Sequence, residues 1–301
     1  VGCQHNAKNT LVKNYLYLAE KEGIEVIPER EVIDIKKNVN GGYILKVKKS
    51  TGIIRKVETF ISNKLILSGG VMGTVKLLLK CRQKGSLSDL SMQLGNYVRT
   101  NSEAIIGTSS VTAPKKRDYT RGIAISAGFH PDENTTIETV RFAKGQDAMG
   151  RLATLMTSGK SKIPSLLQLI GKIIFHPIQF LTTLWPFGWA KKSVILLVMQ
   201  PISNYLKMNY TRKWWRFGAR TMNTDLDSKG KLPSKIPIGE EVAETIAKKT
   251  GGFTMAAITN SLLNIPTTAH ILGGCVMGDN IDSGVVNENM EVFNYPGMYI
   301  I

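Results

Sequence analysis

Between Lys8 and Glu22 the apolar residues Leu11, Tyr15, Leu18 and Ala19 recur at helical spacing, and Gly23 stands where a C-terminal cap is wanted. The pattern predicts an amphipathic helix. Short β-type runs follow at Ile24–Ile27 and Val32–Ile35, then strict alternation over Tyr43–Lys48 after Asn40-Gly41-Gly42, then Ile53–Ile61 after Ser50-Thr51-Gly52. They predict a strand and then a meander. Lys64–Ser68 reads as a buried strand ending at Gly69-Gly70-Val71-Met72-Gly73, and Thr74–Lys80 turns helical with Val75, Leu78 and Leu79 inward. The order is strand, glycine turn, helix. Beyond about Thr108 the texture is less regular, with strands predicted near Gly122–Phe129 and Ile137–Phe142, a strand buried on both faces over Ser193–Gln200, and a last strand at Gly297–Ile301. A helix over Gly239–Lys249 opens on Glu240 and Glu241, charges that suit a helix N-terminus, and closes at Gly251-Gly252.

From Ile163 to Trp189 the chain is markedly apolar, but Lys172, His176, Pro177, Gln179 and Pro186 interrupt it. A spanning helix needs about 20 mostly apolar residues, so this stretch is not expected to cross a membrane. Two readings remain: buried core, or a partly exposed lid with Trp185 and Trp189 at a lipid interface and Lys191 and Lys192 facing anionic headgroups. The lid reading is the one carried forward.

Composition narrows the class. The 301 residues are 43% hydrophobic and 21% charged, which excludes disordered and collagen-like chains. Lys and Arg total 39 against 23 Asp and Glu, a formal charge of +16 that favours anionic membrane surfaces, nucleic acid or acidic substrates, or serves solubility. Zinc-finger spacing, aromatic RNP motifs and bZIP heptads are all missing, so nucleic acid is not expected as a partner. The cluster Arg212-Lys213-Trp214-Trp215-Arg216 suits a lipid interface, or else a β-edge with snorkelling arginines. Cys3, Cys81 and Cys275 have neither disulfide-framework nor metal-ligand spacing, which points to a reducing, cytoplasmic compartment with peripheral membrane association as an addition, and no metal site is expected.

Two features carry chemistry. The turn Gly69–Gly73 offers backbone N–H groups and a helix dipole to a ligand without Cβ interference, although on local evidence alone a tight turn without a ligand is the preferred reading. His270, in Thr267-Thr268-Ala269-His270-Ile271-Leu272-Gly273-Gly274-Cys275, carries an imidazole, the side-chain type best suited to proton transfer, with two glycines removing bulk beside it. It is a candidate for proton transfer, with a structural histidine as the alternative. Cys275 lacks a charged neighbour and reads as packing.

Four segments, Lys8–Leu16, Glu29–Ile35, Leu65–Thr74 and His270–Cys275, resemble in content and order the glucose/methanol/choline (GMC) family of flavoproteins, most closely its cholesterol oxidase-like branch. The resemblance implies FAD as cofactor, hydride transfer from an alcohol carbon to the flavin, and a sterol-like or other lipidic alcohol as substrate. It implies a mixed α/β fold in which part of a Rossmann-like FAD-binding domain (1–107) precedes an antiparallel-sheet substrate-binding domain (108–264), with 265–301 carrying the active-site histidine and returning to the FAD-binding domain. On the same ground Val32, Gly69, Gly70, Gly73 and Asn101 match cofactor-binding positions and His270 the active-site histidine, while Glu138 is a candidate for the carboxylate that isomerises the sterol double bond. The family's N-terminal G-x-G-x-x-G and its closing segment have no counterpart here, so the chain is expected to be an internal piece of such an enzyme. A non-catalytic basic membrane-surface protein is the alternative.

Overall fold

Alternation over Tyr43–Lys49 sends Tyr43, Leu45 and Val47 to one buried face, and this strand is the middle of an antiparallel meander between Arg30–Lys37 and Val57–Ser62. The computed structural model describes residues 3, 5–113, 118–185, 187–214, 217–226 and 232–301. Two units divide the chain, one of Asn9–Arg99, Tyr205–Gly230 and Ile271–Ile301, the other of Val1–Lys8, Thr100–Asn204 and Lys231–His270.

In the first unit the helix Gly70–Lys84 turns Val75, Leu78 and Leu79 inward, as its periodicity predicts, onto Ile35, Tyr43 and Leu45. Each such side chain withdrawn from water contributes roughly 1.5–3 kcal/mol. Leu65–Leu67 pairs in parallel with Met298–Ile300, so residues more than 230 apart in the chain lie side by side. The Tyr43 hydroxyl donates to the Pro296 carbonyl (2.9 Å) and ties the meander to that pair. Leu206–Arg212 and Arg220–Leu226 form a hairpin.

The second unit is built on a six-stranded antiparallel sheet in the order Ile125–Asp132, Thr135–Val140, Ser193–Met199, Ala104–Ser109, Phe253–Ala257, Ala153–Leu155. Ser193–Met199 is central and covered on both faces, as its unbroken apolar run predicts. The helix Pro237–Thr250 packs on one face against Ile106, Ile137, Leu196 and Val198. Trp189, Ile195, Leu197 and Met255 occupy the other.

Several local expectations change. The segment from Lys8 forms only a 3-10 turn, Leu11–Lys13, and a short helix, Tyr15–Lys21, neither with a buried residue. Ile24–Ile27 stays irregular and exposed, because an apolar run becomes a strand only where a neighbour supplies hydrogen bonds. Ile53 and Ile54 likewise project into solvent before the strand begins at Val57. The apolar stretch folds into two short helices, Ser165–Phe175 and Pro177–Leu184, with Pro177 starting the second, where its missing N–H costs nothing. Ile174, Phe175, Ile178, Leu181, Trp185 and Phe187 are exposed. Trp189 departs from the lid expectation: it is 2% exposed and tilts against Phe142 with ring centroids 5.3 Å apart, because the sheet face beneath it needs a large apolar cover. Pro186, Trp215 and Arg216 lie outside the described residues. Among the described residues no helix is long and apolar enough to cross a membrane.

Candidate functional site

Two constellations stand out, one in each unit: the first gathers predicted residues, and the second joins His270 to a residue the sequence did not mark. In the first unit a cavity of about 470 Å³ is lined by Val32, Ser68, Gly69, Gly73, Thr74 and Leu77, with Glu31, Lys76 and Lys80 also at its wall. A β-bulge after Val32 interrupts the ladder there, since Val32 pairs with Val47 but Asp34 already pairs with Lys46. The glycine run is less a turn than the first turn of the helix itself: Gly69 caps it, its N–H donating to Thr74 Oγ1 (3.1 Å), and the helix begins at Gly70. Gly70 has φ +65°, a left-handed backbone that disfavours any side chain, and a Cβ on Gly73 would project into open space. Gly70 does not line this cavity. The first-turn amides have no intrahelical acceptor and sit at the positive end of the helix dipole. Burial, then the neighbouring Lys76, lowers the affinity of Lys80 for its proton.

In the second unit His270 and Glu103 meet. His270 Nδ1 lies 3.2 Å from Glu103 Oε2, and the same oxygen accepts from Ala269 N (2.8 Å) and Thr268 Oγ1 (2.8 Å). The Glu103 side chain is fully buried, whereas that of His270 is 44% exposed. Glu103 escaped the sequence reading: it lies 167 residues from His270, and no local motif marks it. Beside this cluster opens a cavity of about 580 Å³ whose wall includes Ile105, Phe142, Trp189, Leu197, Thr267 and Ala269. Nearly all of that wall is apolar, and it includes Ala269, the residue before His270.

Glu138 faces Leu197 across the ladder, and directly opposed residues share a sheet face, so its half-buried carboxylate projects from the same face as the apolar cavity. Asn101 is held by its carbonyl, which accepts from Gln200 N (2.8 Å), and by its amide, which donates to Met199 Sδ (3.3 Å). Gly273 and Gly274 are accounted for in the other unit: at φ +97° and +81°, a Cβ would come within 2.3 Å of the Tyr97 carbonyl or 2.8 Å of Val75. Burial pushes the Cys275 thiol up to about 12, which suits packing and not nucleophilic attack.

Residues 198–301 match the family model described as GMC oxidoreductase. Over its whole length the chain is 38% identical to a cholesterol oxidase of Acinetobacter baumannii, covering 54% of that protein, and 38% identical to a cholesterol oxidase of Mycobacterium tuberculosis, covering 52%. It thus spans about half the length of these relatives. A solved FAD-dependent oxidoreductase from Chaetomium thermophilum is similar over 96% of this chain and 59% of its own, with 12% identity and a TM-score of 0.47. The chain is similar to GMC oxidoreductases. Among these it is similar to the cholesterol oxidases.

The family implies FAD, and the first cavity has a donor set that fits a nucleotide. Val32 and Leu77 give an apolar wall, Glu31 an acceptor for hydroxyls, and Lys76, Lys80 and the first-turn amides positive charge, with room over Gly73 where a Cβ would intrude.

Proposed function

We propose that the protein is an FAD-dependent oxidoreductase that removes hydride from the hydroxyl-bearing carbon of a sterol-like or other bulky apolar alcohol. The observation that carries this reading is the apolar cavity of about 580 Å³ whose wall includes Ala269, the neighbour of His270 in the chain. A sugar or choline would leave its polar groups unpaired against such a wall, whereas a fused hydrocarbon skeleton would be desolvated at a gain of about 25 cal/mol per Å².

FAD, when bound, supplies the hydride acceptor. Val32, Gly69 and Gly73 would hold its nucleotide part, with Gly70 shaping the helix start, and Asn101 would stand at the flavin end, as the family resemblance implies. His270 accepts the substrate's hydroxyl proton, which eases departure of hydride from the carbon, a contribution of about 100-fold or more for a well-placed base. Glu138, on the face shared with the cavity, is the proposed carrier of a proton between ring carbons in double-bond isomerisation.

Contact with a membrane surface belongs to the same reading. Between Asp147 and Asp225 the chain carries eleven Lys and Arg and no Asp or Glu, and this stretch includes the two helices with outward apolar side chains. Cationic flanks around exposed Ile, Leu, Phe and Trp side chains suit an anionic lipid interface.

The test is anaerobic spectroscopy of the full-length protein. Its flavin absorbance should bleach on addition of cholesterol in detergent micelles and remain oxidised with glucose or choline. Bleaching by the small alcohols alone overturns the apolar-substrate reading, and a preparation that never takes up flavin overturns the enzyme reading as well.

A further inference from the structure

Glu103 is buried, charged in type, and spends one oxygen on the loop that carries His270. Two donors and a ring nitrogen converge on Oε2: the Ala269 amide, the Thr268 hydroxyl and Nδ1 of His270. A backbone N–H can only donate, so Oε2 is an acceptor. The other oxygen, Oε1, is buried and meets no hydrogen-bond partner among the described residues, so a proton carried there would have nothing to donate to. Oε2, 3.2 Å from Nδ1, already serves the Ala269 amide as an acceptor, the role of an ionised carboxylate, and in that role the contact runs from Nδ1–H to Oε2.

Its position is built from several sides. Ser102, just before it, is a buried non-glycine residue at φ +46°, a conformation held where surroundings over-determine it. Ser102 N donates to Thr100 Oγ1 (3.1 Å), and Asn204 Nδ2 donates to Ser102 Oγ (3.0 Å). The next residues enter the central strand Ala104–Ser109, so Glu103 is anchored on the sheet and not on a free loop. On the other partner, His270 N donates to Thr268 Oγ1 (3.0 Å), which closes the loop around the ring.

We infer that Glu103 is the positioning residue of His270: by accepting from Nδ1–H it holds the neutral imidazole in the Nδ1–H tautomer and fixes the ring plane, so that Nε2 keeps the lone pair a general base needs. This rests on the proposed catalytic role of His270. The ring nitrogen that carries the proton is set by the bond its partner nitrogen makes, and in other histidine-dependent enzymes reversing that tautomer costs orders of magnitude in turnover with little change in geometry. Glu103 touches neither substrate nor cofactor in this account. It acts through His270.

The experiment uses full-length flavin-loaded protein labelled with ¹⁵N-histidine, the His270 resonances being assigned by their loss in His270→Gln. Neutral His270 should give the ¹⁵N shift pattern of an Nδ1–H ring. Glu103→Met, which keeps the length of the side chain but offers Nδ1–H no oxygen, should move that pattern toward Nε2–H and lower kcat about 100-fold or more, with KM changed less than about threefold. Glu103→Gln, whose amide oxygen can occupy the position of Oε2, should keep the Nδ1–H pattern and much of kcat. An Nε2–H ring in the unmutated protein overturns the inference, and so does a folded Glu103→Met enzyme with undiminished kcat. If Glu103→Met does not fold, the tautomer of the unmutated protein decides. Full turnover in His270→Ala would instead defeat the catalytic reading of His270, while the spectrum still tests what Glu103 does to the ring.

Discussion

Glu103 and His270 are joined at 3.2 Å across 167 residues of chain, the carboxylate fully buried and the imidazole partly open to solvent. One partner is anchored in the sheet and the other is free to meet a ligand. An exposed ion pair would lose most of its definition to competing water, whereas a buried acceptor keeps one geometry because desolvated hydrogen bonds are costly to break.

His270→Ala in the flavin-loaded enzyme is expected to lose about 100-fold or more in kcat while retaining flavin absorbance. Steady-state turnover with a sterol, alongside the flavin-to-protein absorbance ratio, checks it. Loss of flavin together with activity would make the histidine structural.

The apolar cavity yields a size test. Ala153 and Ala257 pair across adjacent strands and both line it. Ala153→Phe or Ala257→Phe should raise KM for a sterol by about tenfold or more, in keeping with 1–3 kcal/mol for an overpacked site, and alter turnover of a short aliphatic alcohol far less. Equal effects on both substrates would place the binding site elsewhere.

Trp185 and Trp189 should part company. Trp189→Ala removes a ring that is 2% exposed and should cost about 3–5 kcal/mol, read as a lower urea midpoint. Trp185→Ser should leave the midpoint within about 0.5 kcal/mol and weaken binding to vesicles containing anionic lipid, more so as salt is raised. Unchanged vesicle binding in Trp185→Ser together with Phe175→Ser would remove the lipid-surface reading.

Thiol chemistry should follow burial. Backbone hydrogen bonds from Ala7 and His5 lower the pKa of exposed Cys3, whereas burial raises that of Cys81 and pushes Cys275 up to about 12. The thiolate is the nucleophile, so raising pH through the neutral range should label Cys3 first with iodoacetamide. Burial holds Cys275 in the thiol form, and it should label only after denaturation. Peptide mass spectrometry after timed quenching gives the order.

How much of this was legible in the chain itself differs by feature. Local periodicity sufficed for the meander, for the inward Val75, Leu78 and Leu79 of the helix Gly70–Lys84, and for the central strand Ser193–Met199, because their side-chain spacing matches the element's own repeat. The short segments Ile24–Ile27 and Ile53–Ile54 carried the same apolar signal, and it misled, since a strand needs a partner that sequence spacing does not name. The four ordered motifs carried the resemblance to GMC oxidoreductases, and His270 stood out by its setting among them.

Tertiary structure alone decided three things. It buried Trp189 and exposed Trp185, four residues apart with the same side chain, because only one of them lies over the apolar face of the sheet. It gathered Val32, Gly69 and Gly73 around one cavity, since the bulge after Val32 and the start of the helix converge only once the meander is folded. And it brought Glu103 to His270, because an acceptor for a ring nitrogen is chosen by distance in space and desolvation, quantities that the order of residues along a chain does not contain.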